Sequence, residues 1–292
     1  MSEKDNLMPS ISILDSTLYY EEAGLGTPIV FLHGNPTTSH LWRKITPALP
    51  GYRRLAPDLI GMGRSGRPSL DYSFADQVRY LDAWFDALGL TDVILIGHDW
   101  GGTLALDWAA RHPERVRGVA FMETILRPMR WADFPPEVAE RFRALKTEGL
   151  GETIVLQSNT FIEQTLQATV LSGLSGEDIH AYTQSYTTPE SRRAILEWTR
   201  SMPVDEEPAA LIERMRDFNT WLADSVDVPK LLIAFEGSGK NLAIGADMVA
   251  WCKANYANLS VVNCGAAKHN APEDQPEEIA QSLGKWLEQI NI

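Results

Sequence analysis

The strongest constraint on the fold is a strand–turn–helix pattern in the middle of the chain. Four large apolar residues at 93–96 predict a buried parallel strand, and residues 104–112 predict a helix. Between them, the letters Gly-His-Asp-Trp-Gly-Gly place small residues two positions before and after Asp99. A side chain at those positions would collide with neighbouring backbone, so the glycines permit a sharp turn. The pattern is that of a nucleophile elbow with Asp99 where a serine usually stands.

An aspartate at this position changes the chemistry that the elbow can perform. A helix N-terminus favours the carboxylate form, and a carboxylate is suited to displacement at saturated carbon. Water can then attack the carbonyl of the resulting ester and regenerate the aspartate. Asp99 therefore indicates alkyl halides or epoxides as substrates, rather than esters or peptides. The alternative is that Asp99 serves only as a helix N-cap, a common role for this residue type.

Composition excludes several classes of function. The formal net charge of −13 over 292 residues disfavours nucleic acid and anionic membrane as partners, because both attract basic surfaces. The start of the chain lacks a signal-peptide pattern, and no run of 18 apolar residues exists, so a soluble cytoplasmic protein is expected. Cys252 and Cys264 are too few for a disulfide framework or a metal site and are expected to be buried thiols. We predict neither a metal nor a cofactor.

The order of elements predicts an α/β fold with a mostly parallel, eight-stranded sheet flanked by helices, because strands alternate with helices. From residue 127 to residue 208 the strand signal fades and short helical patterns take over. We interpret 127–208 as a helical cap over the carboxyl edge of the sheet, where it would exclude water. Residues 1–126 and 209–292 then form the core. The predicted strands and helices of the core are Ile11–Leu14, Thr17–Glu21, Pro28–His33, Ser39–Leu49 (helix), Arg53–Pro57, Phe74–Leu88 (helix), Val116–Met122, Ala209–Leu222 (helix), Lys230–Phe235, Gly245–Ala254 (helix), Leu259–Val262 and Pro276–Ile290 (helix).

A glycine-rich stretch at 58–68 could be mistaken for a phosphate-binding loop. It contains no Gly-Lys-Ser/Thr and no fingerprint between a strand and a helix, so nucleotide binding is rejected.

Hydrolysis of an enzyme ester needs a base, for which histidine is the usual choice near neutral pH. Of six histidines, His269 lies in a loop directly after the last predicted strand, which agrees with the order nucleophile, acid, histidine. Two carboxylates could orient it. Glu123 ends a clean apolar strand and is favoured, and Glu236 after the Lys230–Phe235 strand is the second candidate.

Taken together, these residues resemble the haloalkane dehalogenases of the α/β-hydrolase superfamily over nearly the whole chain. The anchoring segments are 33–37 (His-Gly-Asn-Pro-Thr), 57–66, 97–101, 121–123 (Phe-Met-Glu), 159–163 in the cap, and 273–276 after His269. The resemblance implies a Glu acid at the position of Glu123. It further implies that a halide is held by Asn35 and Trp100.

The chemistry of those two side chains suits that role. An indole N–H and an amide NH₂ donate hydrogen bonds to an anion without a formal positive charge. The backbone N–H groups of Asn35 and Trp100 would form an oxyanion hole. Phe134 and Phe161 are candidates to line an apolar pocket, with packing as the alternative. The expected partners are a small apolar halogenated substrate, halide and water, for a monomer or small homo-oligomer.

Two loops depart from the family pattern and bear on substrate range. Residues 270–272 are Asn-Ala-Pro after His269, and residues 237–241 are Gly-Ser-Gly-Lys-Asn, with a lysine near the expected pocket rim.

Three other functions remain open at this point. An epoxide hydrolase shares the Gly-His-Asp-Trp-Gly-Gly motif and would use Tyr182 and Tyr186 to protonate the epoxide oxygen. A non-hydrolytic relative, such as a Renilla-type luciferase, keeps similar site residues. A ligand-binding receptor on this fold would bind without turnover.

Overall fold

The buried strand of the elbow lies in the middle of a single sheet. The structure, a computed structural model, describes residues 10–237 and 242–290. Eight strands in these ranges form the sheet, in the order β1-β2-β4-β3-β5-β6-β7-β8. Their bounds are β1 Ser10–Ile13, β2 Ser16–Ala23, β3 Pro28–Leu32, β4 Arg53–Pro57, β5 Val93–His98, β6 Val116–Met122, β7 Lys230–Glu236 and β8 Leu259–Ala266.

Strand direction brings the predicted site residues to one edge. β1 and β2 are antiparallel to their neighbours, whereas β3 to β8 pair in parallel. Leu32 of β3 pairs with Gly97 of β5, and His98 pairs with Met122 of β6. The residues that follow these three strands therefore lie side by side at the carboxyl edge, where α/β sheets bind ligands. The predicted fold class is confirmed.

Helices cover both faces of the sheet. Alternate residues of β3 show this, because Val30 and Leu32 belong to one apolar cluster while Ile29 and Phe31 belong to the other. The α-helices are α1 Phe74–Ala87, α2 Trp100–Arg111, α3 Pro136–Lys146, α4 Leu150–Val155, α5 Thr160–Ala168, α6 Gly176–Thr183, α7 Arg193–Arg200, α8 Ala209–Asp224, α9 Ala246–Asn255, α10 Ala271–Asp274 and α11 Pro276–Gln289.

The single helix predicted at 39–49 is wrong. The structure has two short 3₁₀-helices there, Ser39–Trp42 and Thr46–Ala48, with Thr38 capping the first. Pro47 explains the break, because proline has no N–H and its ring clashes with the carbonyl four residues earlier in an α-helix.

The predicted cap stretch is helical between β6 and α8. It contains α3 to α7, and an isolated bridge between Met129 and Val204 ties its beginning to its end. The bounds of 127–208 as a domain stay a prediction. Cys252 and Cys264 are buried free thiols, as expected. Among the described residues, no helix is long and apolar enough to cross a membrane.

Candidate active site

The turn after β5 is held by contacts that only glycine permits. Asp99 has φ 53° and ψ −129°, a conformation that L-residues rarely adopt. A Cβ on Gly101 would lie 2.1 Å from the carbonyl oxygen of Leu32, and one on Gly97 would lie 2.4 Å from Gly102 Cα. The backbone of α2 therefore packs directly on the sheet, and Asp99 is lifted to the helix N-terminus.

The carboxylate of Asp99 is buried and already hydrogen-bonded by backbone. The N–H of Asn35, in the loop after β3, donates to Asp99 Oδ1 at 2.8 Å. Gly34 makes this approach possible, because a Cβ there would lie 2.1 Å from the same oxygen. Burial acts to raise the pKa of Asp99, but the contacts with His269 and the N–H of Trp100 outweigh it and lower that pKa.

His269 joins the two acidic side chains. Its Nε2 lies 3.3 Å from Asp99 Oδ2, and its Nδ1 lies 3.2 Å from Glu123 Oε2. Burial acts to lower the pKa of His269, but the two carboxylates outweigh it and raise the pKa to about 10. This shift favours the imidazolium form of His269 in the free protein, in which each ring nitrogen faces a carboxylate oxygen.

Glu123 is fixed at the end of β6. Its side chain is 1% exposed, and it accepts hydrogen bonds from the N–H groups of Ala243 at 2.7 Å and Ile244 at 3.2 Å. The second candidate acid, Glu236, is exposed at the end of β7. The structure thus brings Asp99, His269 and Glu123 together and leaves Glu236 outside.

His98, directly before Asp99 in the elbow, supports the histidine loop. Its Nε2 donates to the carbonyl oxygen of His269 at 2.7 Å, so Nδ1 is the unprotonated nitrogen. Burial and the neighbouring His269 charge lower the pKa of His98 to about 4. It is a neutral donor at working pH. Nothing in the sequence distinguishes this role, because the two residues are 171 positions apart.

The loop that carries His269 is also bound to the cap, which the sequence did not predict. Asn270 donates from its backbone N–H to the carbonyl of Thr169 at 2.9 Å and from Nδ2 to Thr169 Oγ1 at 2.7 Å. Asp274 accepts from the N–H of Leu171 and from that of Lys268. Asn270, which departs from the family pattern, thus links the histidine loop to the cap through hydrogen bonds.

The two predicted halide donors both contact α7 of the cap. The amide nitrogen of Asn35 lies 3.2 Å from the carbonyl oxygen of Ile195 and 3.3 Å from Thr199 Oγ1. The ring of Trp100, which is 2% exposed, packs on Trp198 with centroids 4.8 Å apart. One turn of α7 therefore brings Asn35 and Trp100 to the same place, beside Asp99.

The remaining predicted residues make contacts of other kinds. Phe134 packs against Trp131 and Phe142, and Phe161 lies under the guanidinium of Arg141. These contacts lie within the cap, so a pocket-lining role for either phenylalanine stays a prediction.

The two tyrosines of the epoxide alternative are fully buried and engaged. Tyr182 donates to Glu273 Oε1 at 2.6 Å, and the Tyr186 hydroxyl accepts from the N–H of Gly63 at 3.3 Å.

Part of the second unusual loop, residues 238–241 with the lysine, lies outside the described residues. Within the described ranges, no group of three or more His, Cys, Asp or Glu side chains could hold a metal ion.

Comparison with known proteins agrees with this geometry. Residues 27–209 match a family model described as the alpha/beta hydrolase fold. The chain is 43% identical over 284 residues to a haloalkane dehalogenase of Mesorhizobium japonicum, covering 96% of this chain and 91% of the relative. It is also 43% identical over 270 residues to a haloalkane dehalogenase of Agrobacterium fabrum, with 92% and 88% covered.

Solved structures give the same result. A crystal structure of a putative ancestral haloalkane dehalogenase aligns with TM-score 0.91 and 40% identity, covering 97% of this chain and 99% of the other. DatA, a haloalkane dehalogenase from Agrobacterium tumefaciens, aligns with TM-score 0.91 and 41% identity, with 97% and 96% covered. The sheet, the elbow and the inserted helices define an α/β-hydrolase-fold protein. Within that fold, the chain belongs to the haloalkane dehalogenase family.

Proposed function

We propose that this protein is a hydrolase that cleaves carbon–halogen bonds of small apolar haloalkanes, giving alcohol, halide and a proton. The observation that carries the proposal is the buried carboxylate of Asp99. It has one oxygen on the N–H of Asn35 and the other facing His269, with Glu123 behind the imidazole. A carboxylate held in this way has no proton to lose before it attacks, because its pKa is lowered.

The first step is displacement at tetrahedral carbon. Asp99 Oδ2 forms a bond to the carbon while the carbon–halogen bond breaks, and the bonding pair leaves with the halide. The leaving anion gains charge in a site covered by the cap, where fixed donors stabilise it most. The Asn35 amide and the Trp100 indole are the donors for it, since Trp100 is buried next to Asp99 and Asn35 contacts that carboxylate through its backbone.

The second step regenerates the aspartate. Esterification removes the charge of Asp99, which is one of the two charges that raise the pKa of His269. The imidazolium then releases a proton to solvent and becomes a base oriented by Glu123. It takes a proton from water as the water oxygen bonds to the ester carbonyl carbon.

Collapse of that adduct completes the cycle. The negative oxygen that forms is Oδ1, which already accepts from the N–H of Asn35. The alkoxide leaves with the proton from His269, and the carboxyl group then protonates His269 again. Each cycle consumes one water and yields one alcohol, one halide and one proton.

The epoxide alternative is disfavoured by the cap tyrosines. An epoxide opening needs an acid to protonate its oxygen. Tyr182 directs its hydroxyl proton to Glu273, whose charge, after burial, raises the pKa of the phenol further. Tyr186 is buried against Gly63. The hydroxyl hydrogen of Tyr182 is therefore committed to Glu273, and the Tyr186 hydroxyl is fully buried.

A halide-release assay tests the proposal. The wild type is incubated with 1-bromobutane and 1,2-dibromoethane, and in parallel with styrene oxide and with coelenterazine. We expect halide release by the wild type and none by Asp99→Ala, whereas Asp71→Asn, at an exposed acid, retains full activity. Turnover of styrene oxide without halide release, or light from coelenterazine without halide release, would refute the proposal.

A further inference from the structure

The side-chain amide of Asn35 has an unusual set of neighbours. Its nitrogen lies 3.2 Å from the Ile195 carbonyl oxygen and 3.3 Å from Thr199 Oγ1. These two acceptors are themselves hydrogen-bonded, because Thr199 Oγ1 donates to the Ile195 carbonyl at 3.0 Å. The amide oxygen Oδ1 is buried and has no hydrogen-bond partner among the described residues. A buried acceptor without a partner is rare enough to need an explanation.

The three distances determine how many amide hydrogens this contact uses. Asn35 Nδ2, the Ile195 carbonyl oxygen and Thr199 Oγ1 form a nearly equilateral triangle. The two acceptors therefore subtend an angle of about 55° at the amide nitrogen. The two N–H bonds of a planar amide diverge by about 120°. Both acceptors therefore share one N–H in a three-centre hydrogen bond, and the second N–H points away from α7.

The same contact fixes which end of the amide faces the cap. Thr199 has committed its only hydroxyl hydrogen to Ile195, so toward Asn35 it can act only as an acceptor. If the amide were turned over, Oδ1 would meet two acceptors and no donor. The Ile195–Thr199 turn thus selects the orientation that leaves Oδ1 without a partner and one N–H uncommitted.

We propose that Thr199 is a positioning residue for the halide site: through this shared hydrogen bond it turns the uncommitted N–H of Asn35 toward the leaving halide. The inference rests on the proposed function, because it assumes that the anion binds between Asn35 and Trp100. It adds that the cap, through α7, sets the direction of a donor that the core supplies.

A purely structural role for Thr199 makes a different prediction. Threonine hydroxyls in helices often bond to the carbonyl four residues earlier, with no further consequence. Under that reading, loss of the hydroxyl changes helix stability but leaves halide affinity unchanged. Under the proposal, loss of the hydroxyl lets the amide re-centre on Ile195 alone, which swings the second N–H away from the halide.

The test compares Thr199→Val, which keeps the shape and removes the hydroxyl, with Thr199→Ser, which keeps the hydroxyl. The readouts are the inhibition constant of bromide in the steady state and kcat and KM for 1-bromobutane, with thermal melting as the check on folding. We expect Thr199→Val to weaken bromide binding by about threefold to tenfold, the range for one neutral hydrogen bond. Its kcat falls more than its KM rises, and Thr199→Ser restores wild-type values.

An unchanged or tighter bromide constant in a folded Thr199→Val would overturn the inference, as would failure of Thr199→Ser to restore it. If Thr199→Val does not fold, Thr199→Ala is measured in the same way with the same expected direction. Halide release and bromide binding by the wild type distinguish failure of this inference from failure of the proposed function. If the wild type releases halide while the Thr199 variants bind bromide equally well, only the role of Thr199 fails. If it neither releases nor binds halide, the proposed function fails.

Discussion

Asp99 and His269 form a pair whose charges depend on each other. The carboxylate raises the pKa of the imidazole, and the imidazolium lowers that of the carboxylate. Alkylation of Asp99 breaks this pairing. In the proposed mechanism, His269 therefore loses its proton only after the ester exists. The imidazolium keeps Asp99 ionised before the attack, and the neutral imidazole is available as a base when water must be activated.

Replacing His269 with phenylalanine should separate the two steps. We expect His269→Phe to form the ester and release one halide per site, because Asp99 and both proposed halide donors remain. Hydrolysis should slow by about a thousandfold or more, the usual contribution of a positioned base. Intact-protein mass spectrometry after exposure to 1-bromobutane should show the added butyl group. The exposed His180→Phe is the matched control and should show no adduct at steady state.

The two steps should also respond differently to pH. Asp99 stays ionised well below neutral pH because its pKa is lowered. Hydrolysis requires neutral His269 in the ester form, so it should slow as pH falls. Rapid-quench measurements at pH 5 and pH 8 should show the same initial burst of halide and a slower steady-state rate at pH 5. A burst that disappears at pH 5 while the later rate is unchanged would contradict this order.

The same charge pairing should make the free energy of unfolding depend on pH. The pKa of His269 is about 10 in the folded protein, against an ordinary value of 6.5. Its contribution to stability is therefore complete below pH 6.5 and is lost as pH rises toward 10. Denaturant unfolding of the wild type should show this loss, and His269→Phe should not. Parallel pH profiles of the two proteins would show that His269 is not paired in the folded state.

At the scale of elements, the site depends on neighbouring parallel strands that end at the same edge of the sheet. The turn after β5 holds Asp99 because α2 packs on the backbone of β3 without intervening side chains. Gly101 lies at the closest approach, since a Cβ added there would lie 2.1 Å from the Leu32 carbonyl oxygen. Such a contact cannot be relieved by rotation of a side chain, because the obstructing atom is backbone.

Gly101→Ala should therefore destabilise the protein by about 3 kcal/mol, the upper range for overpacking. It should also lower activity by displacing Asp99. Gly176→Ala is the matched control, because Gly176 starts α6 and has no atom within 4 Å of the new methyl group. The free energies of unfolding in urea compare the two. Equal stability of both variants would mean that the elbow tolerates a side chain at Gly101.

The sequence predicts an element well where the local apolar pattern is strong. It predicts an element less well where one residue, or pairing with a neighbouring strand, determines the bounds. The predicted bounds of β6 agree with the structure, because four apolar residues at 119–122 directly precede Glu123. Pro47 divides the predicted helix at 39–49, although the apolar spacing there resembles a helix. The strand β8 extends beyond Val262 to Ala266, since its pairing with β7 continues past the apolar residues.

At the scale of the whole molecule, an ionic cluster around the buried Glu273 joins the predicted cap to the core. Glu273, next to the histidine loop, accepts from Arg43 at 2.9 Å, from Lys44 at 3.1 Å and from Tyr182 of α6 at 2.6 Å. Burial acts to raise the pKa of Glu273, but Arg43 and Tyr182 outweigh it and lower that pKa. Asp178 of α6 adds a second contact to Arg43 at 2.7 Å.

Glu273→Gln should cost about 2 kcal/mol, because it removes the charge from a buried acceptor of Arg43 while Arg43 keeps its contact with Asp178. The more exposed pair of Glu22 and Arg53 supplies the control, and Glu22→Gln should cost less than about 1 kcal/mol. Because the pKa of Glu273 is lowered, the difference between wild type and Glu273→Gln should be full above pH 4.5 and shrink below it. Urea unfolding at pH 7 and pH 4 measures both effects. A difference that grows on acidification would contradict the assignment.

Contacts between distant parts of the chain mark the limit of prediction from sequence. The order of Asp99, Glu123 and His269 in the sequence indicates the candidate catalytic set, because each follows a predicted strand at the same sheet edge. The ties from Asn270 to Thr169 and from Asn35 to Thr199 had no local signal, because they join residues 101 and 164 positions apart. Such pairs depend on how the cap sits on the core, which no periodicity in the sequence encodes.

The central claim is that Asp99 itself attacks the substrate carbon, and a single turnover in ¹⁸O-labelled water tests it most directly. With enzyme in excess over 1-bromobutane, the oxygen of the first alcohol comes from the Asp99 carboxylate. We therefore predict unlabelled butanol and one ¹⁸O at Asp99, located by fragmentation of the tryptic peptide 80–111. Labelled butanol in the first turnover, with an unlabelled Asp99, would show that water attacks the substrate directly and would contradict the account.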